Sequence, residues 1–198
     1  MLKFGDLINR LRHNRGFGVQ SPSAFYFVTQ VLKEKLPYYA YNEVDAAAEK
    51  YGTKKKKYYR RLFRIANYLK PQSIIIVGKE SNAARTALAT ARPSATLASF
   101  DDAKEAFQQA ITSGTLPCPL LVYIGECDNY AQACDAAIKK ADGNSAIIVE
   151  GIHQTAQKTQ WWTEVIKSPH SVVTYDLYSA GILLFDKEKP KQHYTLKM

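Results

Sequence analysis

The residues of this chain that can do chemistry gather at the ends of apolar runs. In SIIIVGKESNAARTALA, residues 73–89, a β-branched run stops at Gly78 and a helix-forming run follows. This reads like the opening of a nucleotide-binding unit whose glycines have been replaced. Gly78 permits the tight turn that such a unit needs. A sheet of this kind holds ribose hydroxyls with an acid about 20 residues after the first glycine. Ser99 lies nearest that position, with Asp101 and Asp102 just beyond. A shift of one or two residues puts Asp101 on the ribose. DDAKE also reads as a helix start, with Asp102 as cap and Glu105 reaching back, and the pattern favours that reading. His153, in VEGIH, ends another apolar run, where an imidazole can take a proton from a hydroxyl or an amine. A helix-capping or surface histidine is the expected alternative.

The elements that position these residues alternate. Beyond Pro71, SIIIVG, SATLASF, PLLVYIG and SAIIVEG read as strands, and NAARTALATA, DDAKEAFQQAI, NYAQACDAAIKKA and AQKTQWWTEVIK as helices. Continuous β-branched runs belong to strands buried on both faces of a parallel sheet. SVVTYDLY and GILLFDKEK are separated only by Ser179 and Ala180, which leaves no room for a crossover helix and predicts an antiparallel hairpin. QHYTLKM is expected to extend the side of the second of these strands. Trp161 and Trp162 are adjacent on a helix and point about 100° apart, so one is expected in the core and one outside.

Ahead of this core lies a helical extension, residues 1–70, expected to pack on 71–198 as one structural domain. Ser21 can cap a helix whose first turn suits Pro22 and whose inward face is Phe25, Val28 and Leu32. PYYAYNEVDAAAEKYGTKKKK reads as a short helix broken at Gly52. From Lys54 to Leu69 the helical period places Tyr58, Leu62, Ile65, Ala66 and Leu69 inward and Lys56, Arg60 and Arg64 on an outer stripe. RHNRGFGVQ sets basic residues around Gly16 and Gly18, a turn or an anion-presenting loop.

With 198 residues and 46% hydrophobic content the chain suffices for one core. No apolar run reaches the roughly 18 residues of a bilayer span, and the first residues lack a cleavable leader pattern, so a cytoplasmic protein with no membrane partner is expected. Cys118, Cys127 and Cys134 are odd in number and lack metal-ligand spacing, which points to reduced, packed thiols. Lys and Arg outnumber Asp and Glu by 27 to 18. That excess makes nucleic acid or another polyanion a conceivable partner, through Arg10, Arg12, Arg15, Lys54 to Lys57, Arg60 and Arg64. A solvated helix face is the favoured reading.

Four strand–helix units closed by an antiparallel hairpin resemble the class I S-adenosylmethionine-dependent methyltransferase fold, a Rossmann-like α/β architecture. GFGVQSPSAF, LPYYAY, YYRRLFRIANYLKP, VEGIH and YDLYSAGILLFDKEKPKQHYTL resemble a bacterial O-methyltransferase-like branch. Only TSGTLPC lies between the helix that DDAKEAF opens and the PLLVYIG strand, which implies the loss of one strand and helix and a sheet of roughly six strands.

The resemblance implies S-adenosylmethionine as cofactor, but at altered positions. The acid expected near the end of the first strand falls on Ile76, and the second glycine falls on Asn82, which still tolerates a left-handed backbone. Ile76 cannot accept from the cofactor's ammonium, and Glu80 brings an anion near its carboxylate. Like charges about 5 Å apart at an effective dielectric near 20 repel by roughly 3 kcal/mol, about a hundredfold in affinity. Lys79 can offset this only by turning toward the pocket, and a solvated lysine is expected. The fourth-strand Asp-Gly pair is replaced by Gly125 and Glu126, with the aromatic Tyr130 kept. Metal-dependent relatives carry paired acids after the fifth strand. Here Glu150 keeps one, Gly151 removes the second, and no metal is expected. The implied function is therefore a methyltransferase-like protein with an eroded cofactor site at Gly78, Lys79, Asn82, Ser99 and Asp101. Its alternative is an active, metal-independent enzyme using Glu150 or His153 as base on a small-molecule hydroxyl or amine.

Overall fold

A computed structural model describes residues 21–51, 55–79 and 81–196, with the backbone alone at 105 and 106. Three helical segments come first: α1 (Pro22–Tyr26), which runs on through a wider turn at Phe27–Leu32, α2 (Tyr41–Lys50) and α3 (Lys56–Leu69). Then follow β1 (Ser73–Val77), α4 (Asn82–Ala91), β2 (Thr96–Phe100), α5 (Glu105–Thr112), β3 (Leu120–Ile124), α6 (Tyr130–Lys140), β4 (Ala146–Glu150) and α7 (Ala156–Lys167). The chain closes with β5 (Val173–Asp176), β6 (Ala180–Leu184) and β7 (Gln192–Thr195).

The sheet order is β2-β1-β3-β4-β6-β5-β7. Strands β1 to β4 run parallel, and β6 is antiparallel to both β4 and β5. The buried β-branched runs behave as their pattern demands. Ile74 and Ile76 enter the layer shared with α1 to α4, whereas Ile75 and Val77 enter the layer shared with α5 to α7. Alternation across the pleat is what requires both neighbours to be apolar.

Three expectations need correction. The sheet has seven strands, because residues 192–195 add one. They pair in parallel with β5, with Tyr194 opposite and stacked on Tyr175 at 5.3 Å, and so do not extend the β6 side of the hairpin. The shortening lies at the other edge, where β2 is outermost and only residues 113–119 link α5 to β3. In α1, Ser21 accepts from the Ala24 amide as expected of a cap, but Phe25 faces outward. The buried stripe is Ala24, Phe27, Val28, Val31 and Leu32, because this rotation seats Phe27 5.0 Å from Tyr175. Finally, Arg64 is not on an outer stripe. It is 8% exposed, and its guanidinium donates to the carbonyls of Val31 and Leu32 and to the Tyr41 hydroxyl. Those carbonyls end the α1 segment and need donors.

The other two basic residues of that stripe also have acidic partners. Lys56 pairs with Glu49, and Arg60 pairs with both oxygens of Asp45 while lying over the Tyr41 ring. Arg10, Arg12, Arg15, Gly16, Gly18, Gly52, Lys54 and Glu80 lie outside the described residues. No helix among the described residues is long and apolar enough to cross a membrane.

Candidate functional site

The chain leaves β1 toward β2 on one side and returns to β3 on the other. The carboxyl ends of β1 and β3 therefore flank the switch point where open α/β sheets bind ligands. Here that crevice is stitched. Gly78 leaves β1 with φ +123° and donates to the Phe100 carbonyl at 2.9 Å. The Lys79 amide donates to the Glu126 carbonyl at 3.0 Å, and the Gly125 amide to the Val77 carbonyl at 2.7 Å. Lys79 and Glu126 thereby form a one-pair antiparallel bridge across the mouth.

Two cavities flank the bridge, of about 480 Å³ and about 520 Å³, and Lys79 and Glu126 line both. Each falls within the roughly 300–1,000 Å³ of small-molecule sites. The first also takes Lys55, Tyr59, Tyr123, Asn82 and Glu150, and the second takes Asp101, Asp102, Lys104 and Asp128.

The structure thus brings Lys79, Asn82 and Glu150 to one cavity and Asp101 to the other, with Gly78 in the seam between them. Ser99 lines neither: it lies within the edge strand β2 and is exposed. Asp102 is not the cap of α5, since the helix starts at Glu105 behind Lys104. Its carboxylate accepts from the Lys104 amide at 3.0 Å and pairs with the Lys104 ammonium at 2.8 Å, a local turn that precedes the helix. Ile76 is buried in the core layer and offers the crevice no polar atom.

Glu150 ends β4, and its side chain is 19% exposed. One oxygen accepts from Lys55 Nζ at 2.9 Å and the other from the Tyr123 hydroxyl. Burial first, and then the neighbouring Tyr58 and Glu150, hold the Tyr123 phenol well above its ordinary range.

His153 lines neither cavity. Its Nε2 lies 2.7 Å from Asp176 Oδ2, its Nδ1 lies 3.4 Å from Thr159 Oγ1, and its ring stacks on Tyr178. Thr155, not His153, caps α7.

Lys158 escaped the sequence reading. It is 5% exposed, its ammonium donates to the Glu150 carbonyl at 2.7 Å, and it lies 4.8 Å from the Tyr130 ring centre. A cation in the first turn of a helix opposes the dipole, which is the signal that was there to be read. Burial lowers its proton affinity. A lysine whose folded pKa lies below its unfolded value costs stability at neutral pH, and that cost is relieved as pH climbs toward the unfolded value. Wild-type protein should therefore gain stability between pH 8 and pH 10 relative to Lys158→Met, as read by denaturant unfolding at each pH. A constant difference between the two would refute this.

Among the described residues no three His, Cys, Asp or Glu side chains are grouped to hold a metal ion. Cys118, Cys127 and Cys134 are free thiols, and burial pushes the last two up in pKa.

Solved structures share this architecture. The O-methyltransferase TomG from Streptomyces achromogenes, in complex with SAM, aligns over 88% of this chain and 98% of its own at 12% identity, with a TM-score of 0.54. The chain has the class I methyltransferase fold. The SAH-bound Podospora anserina methyltransferase PaMTH1 aligns over 84% of this chain and 96% of its own at 10% identity and TM-score 0.52. Cofactor-bound Rv0187 from MTB aligns over 83% and 97% at 13% identity and TM-score 0.54. No family model matches the sequence, and no curated protein matches it. Ile76 is a buried apolar side chain, and the Lys79–Glu126 bridge joins two residues that line both cavities.

Proposed function

We propose that this chain is a methyltransferase-like protein whose cofactor cleft has been closed over, so that it binds S-adenosylmethionine weakly and transfers methyl groups slowly or not at all. The observation that carries this reading is the Lys79–Glu126 bridge, whose two residues line both of the neighbouring cavities. A ligand spanning both must break a main-chain hydrogen bond and separate the β1 and β3 loops. What survives of a nucleotide site is Gly78, with Asp101 placed for ribose hydroxyls in the second cavity, while Lys79 and Asn82 border the first.

The competing reading is an active, metal-independent enzyme in which Glu150 takes the acceptor's proton. The placement of Glu150 in the same cavity as Lys79 and Asn82 favours it. His153 is a weaker base candidate, since both ring nitrogens already have partners.

Calorimetric titration with S-adenosylmethionine and S-adenosylhomocysteine separates the two. Dissociation constants of hundreds of micromolar or weaker are expected. Micromolar binding of either compound would overturn the closed-cleft reading.

A further inference from the structure

The first cavity contains a cation of its own. Lys55 stands at the start of α3, and its ammonium lies 2.9 Å from Glu150 Oε1. The glutamate is fixed: it ends a central strand, is 19% exposed, and accepts from Tyr123 on its other oxygen. The lysine is the movable partner, 56% exposed on a flexible four-carbon stem. Tyr59 and Tyr123 are aromatic residues among the cavity's lining, and Glu126 adds a second acidic residue.

Among the described residues, the charges lining the cavity are Lys55 and Lys79 against Glu126 and Glu150, which cancel. With the Lys55 ammonium withdrawn, a single negative charge is left, set among phenol rings. Fixed carboxylates combined with aromatic faces recognise organic cations. The hydrogen bond to Glu150 holds the Lys55 ammonium above its ordinary pKa range against the opposing effect of burial.

We propose that this cavity is a binding site for a small organic cation, an amine or quaternary ammonium, and that Lys55 occupies it as an intramolecular stand-in which the ligand displaces. The site goes beyond the methyltransferase reading and does not depend on whether the cofactor binds. The ligand replaces one ammonium by another at Glu150, and Lys55 swings into solvent at little cost because it is already more than half exposed. Removing the Lys55 ammonium should therefore strengthen binding, the reverse of what deleting a contact residue does.

The test is calorimetric titration at low salt, where exposed charges are least screened, with choline as probe and its uncharged isostere 3,3-dimethyl-1-butanol as control. Lys55→Ala should bind choline at least about tenfold more tightly than wild type, since it no longer has a competitor. Adding Glu150→Gln to Lys55→Ala should abolish that gain, and the isostere should bind none of the three proteins. Circular dichroism confirms that each variant is folded.

Three results would overturn the proposal: no choline binding by folded Lys55→Ala, equal binding of the neutral isostere, or weaker choline binding by Lys55→Ala than by wild type. The outcome is distinguishable from the cofactor question. Micromolar S-adenosylmethionine binding without choline binding overturns both readings, failure to bind either compound overturns only this inference, and choline binding without cofactor binding upholds both.

Discussion

Gly78→Ala should lower the free energy of unfolding by about 3 kcal/mol, the sum of backbone strain and a clash with main chain. Gly78 has φ +123°, a conformation that side chains with a Cβ rarely adopt. A Cβ there would stand 2.9 Å from both the amide nitrogen and the carbonyl oxygen of Glu126, and 3.0 Å from the carbonyl carbon of Gly125. Main chain cannot rotate away as a side chain can. The added methyl must therefore push the β3 loop off the β1 loop, which breaks the Lys79–Glu126 bridge. Urea unfolding measures the loss, and a change below about 1 kcal/mol would mean that the two loops do not meet as described.

Gly125→Ala is the internal contrast. Its Cβ would come within 2.6 Å of Ser81 Oγ, but the nearest main-chain atom is the Val77 carbonyl oxygen at 3.5 Å. A serine hydroxyl can turn aside. The difference between the two glycines, one against main chain and one against a side chain, is what makes Gly78 the keystone of the seam. The same seam limits what the crevice can accept, so stability and ligand capacity depend on one hydrogen-bonded bridge.

The sequence makes plain those parts of the molecule that local periodicity dictates. SIIIVG and SAIIVEG are apolar at successive positions because the pleat sends alternate residues into two cores, and their shortness and β-branching set them apart from a buried helix. The hairpin follows from a connection too short for a helix. Features that arise from pairing distant segments were not readable. QHYT becomes a strand only because β5 presents an unpaired edge on the far side of β6, a fact of topology and not of composition. Arg64 fits the charged stripe of an amphipathic helix by spacing, yet it is drawn inward by the unpaired carbonyls of Val31 and Leu32, 32 to 33 residues away.

The candidate site divides the same way. Gly78, Lys79, Asn82, Asp101 and Glu150 could be placed at strand ends from the pattern, and the structure puts each at the seam or on a cavity wall. Ser99 could not be separated from Asp101 without knowing that β2 runs through Phe100. Tyr123 carries no local signature, because its role comes from its hydroxyl's hydrogen bond to Glu150, 27 residues away. Lys158 did carry one, a lysine at the dipole's unfavourable end. The two tryptophans divide as the 100° rotation requires, with Trp162 in the core and Trp161 half-buried against Tyr130.

Trp162→Ala is the second large expected effect, a loss of about 4 kcal/mol from removing a large aromatic side chain from a packed core. Trp162 is 1% exposed and lies over Gly181 of β6, where a Cβ would stand 2.5 to 2.7 Å from three atoms of the indole's six-membered ring. Position 181 is thus glycine because the indole fills the space. The indole N–H is buried and finds no acceptor among the described residues, so the ring contributes packing and no hydrogen bond. Trp162→Phe should accordingly cost only about 1–2 kcal/mol, less than a residue that also lost a buried polar partner. Gly181→Ala alone should cost about 2 kcal/mol by overpacking, and Gly181→Ala combined with Trp162→Phe should cost clearly less than the two losses added, because the smaller ring vacates the space that the methyl enters. Strict additivity would show that the two positions do not compete for it. Lys158 lies one turn before Trp162 on the same helix face, so a loosened indole should also weaken the ammonium's hold on the Glu150 carbonyl. The pH-dependent stability difference attributed to Lys158 should then shrink in Trp162→Ala and persist in Trp162→Phe.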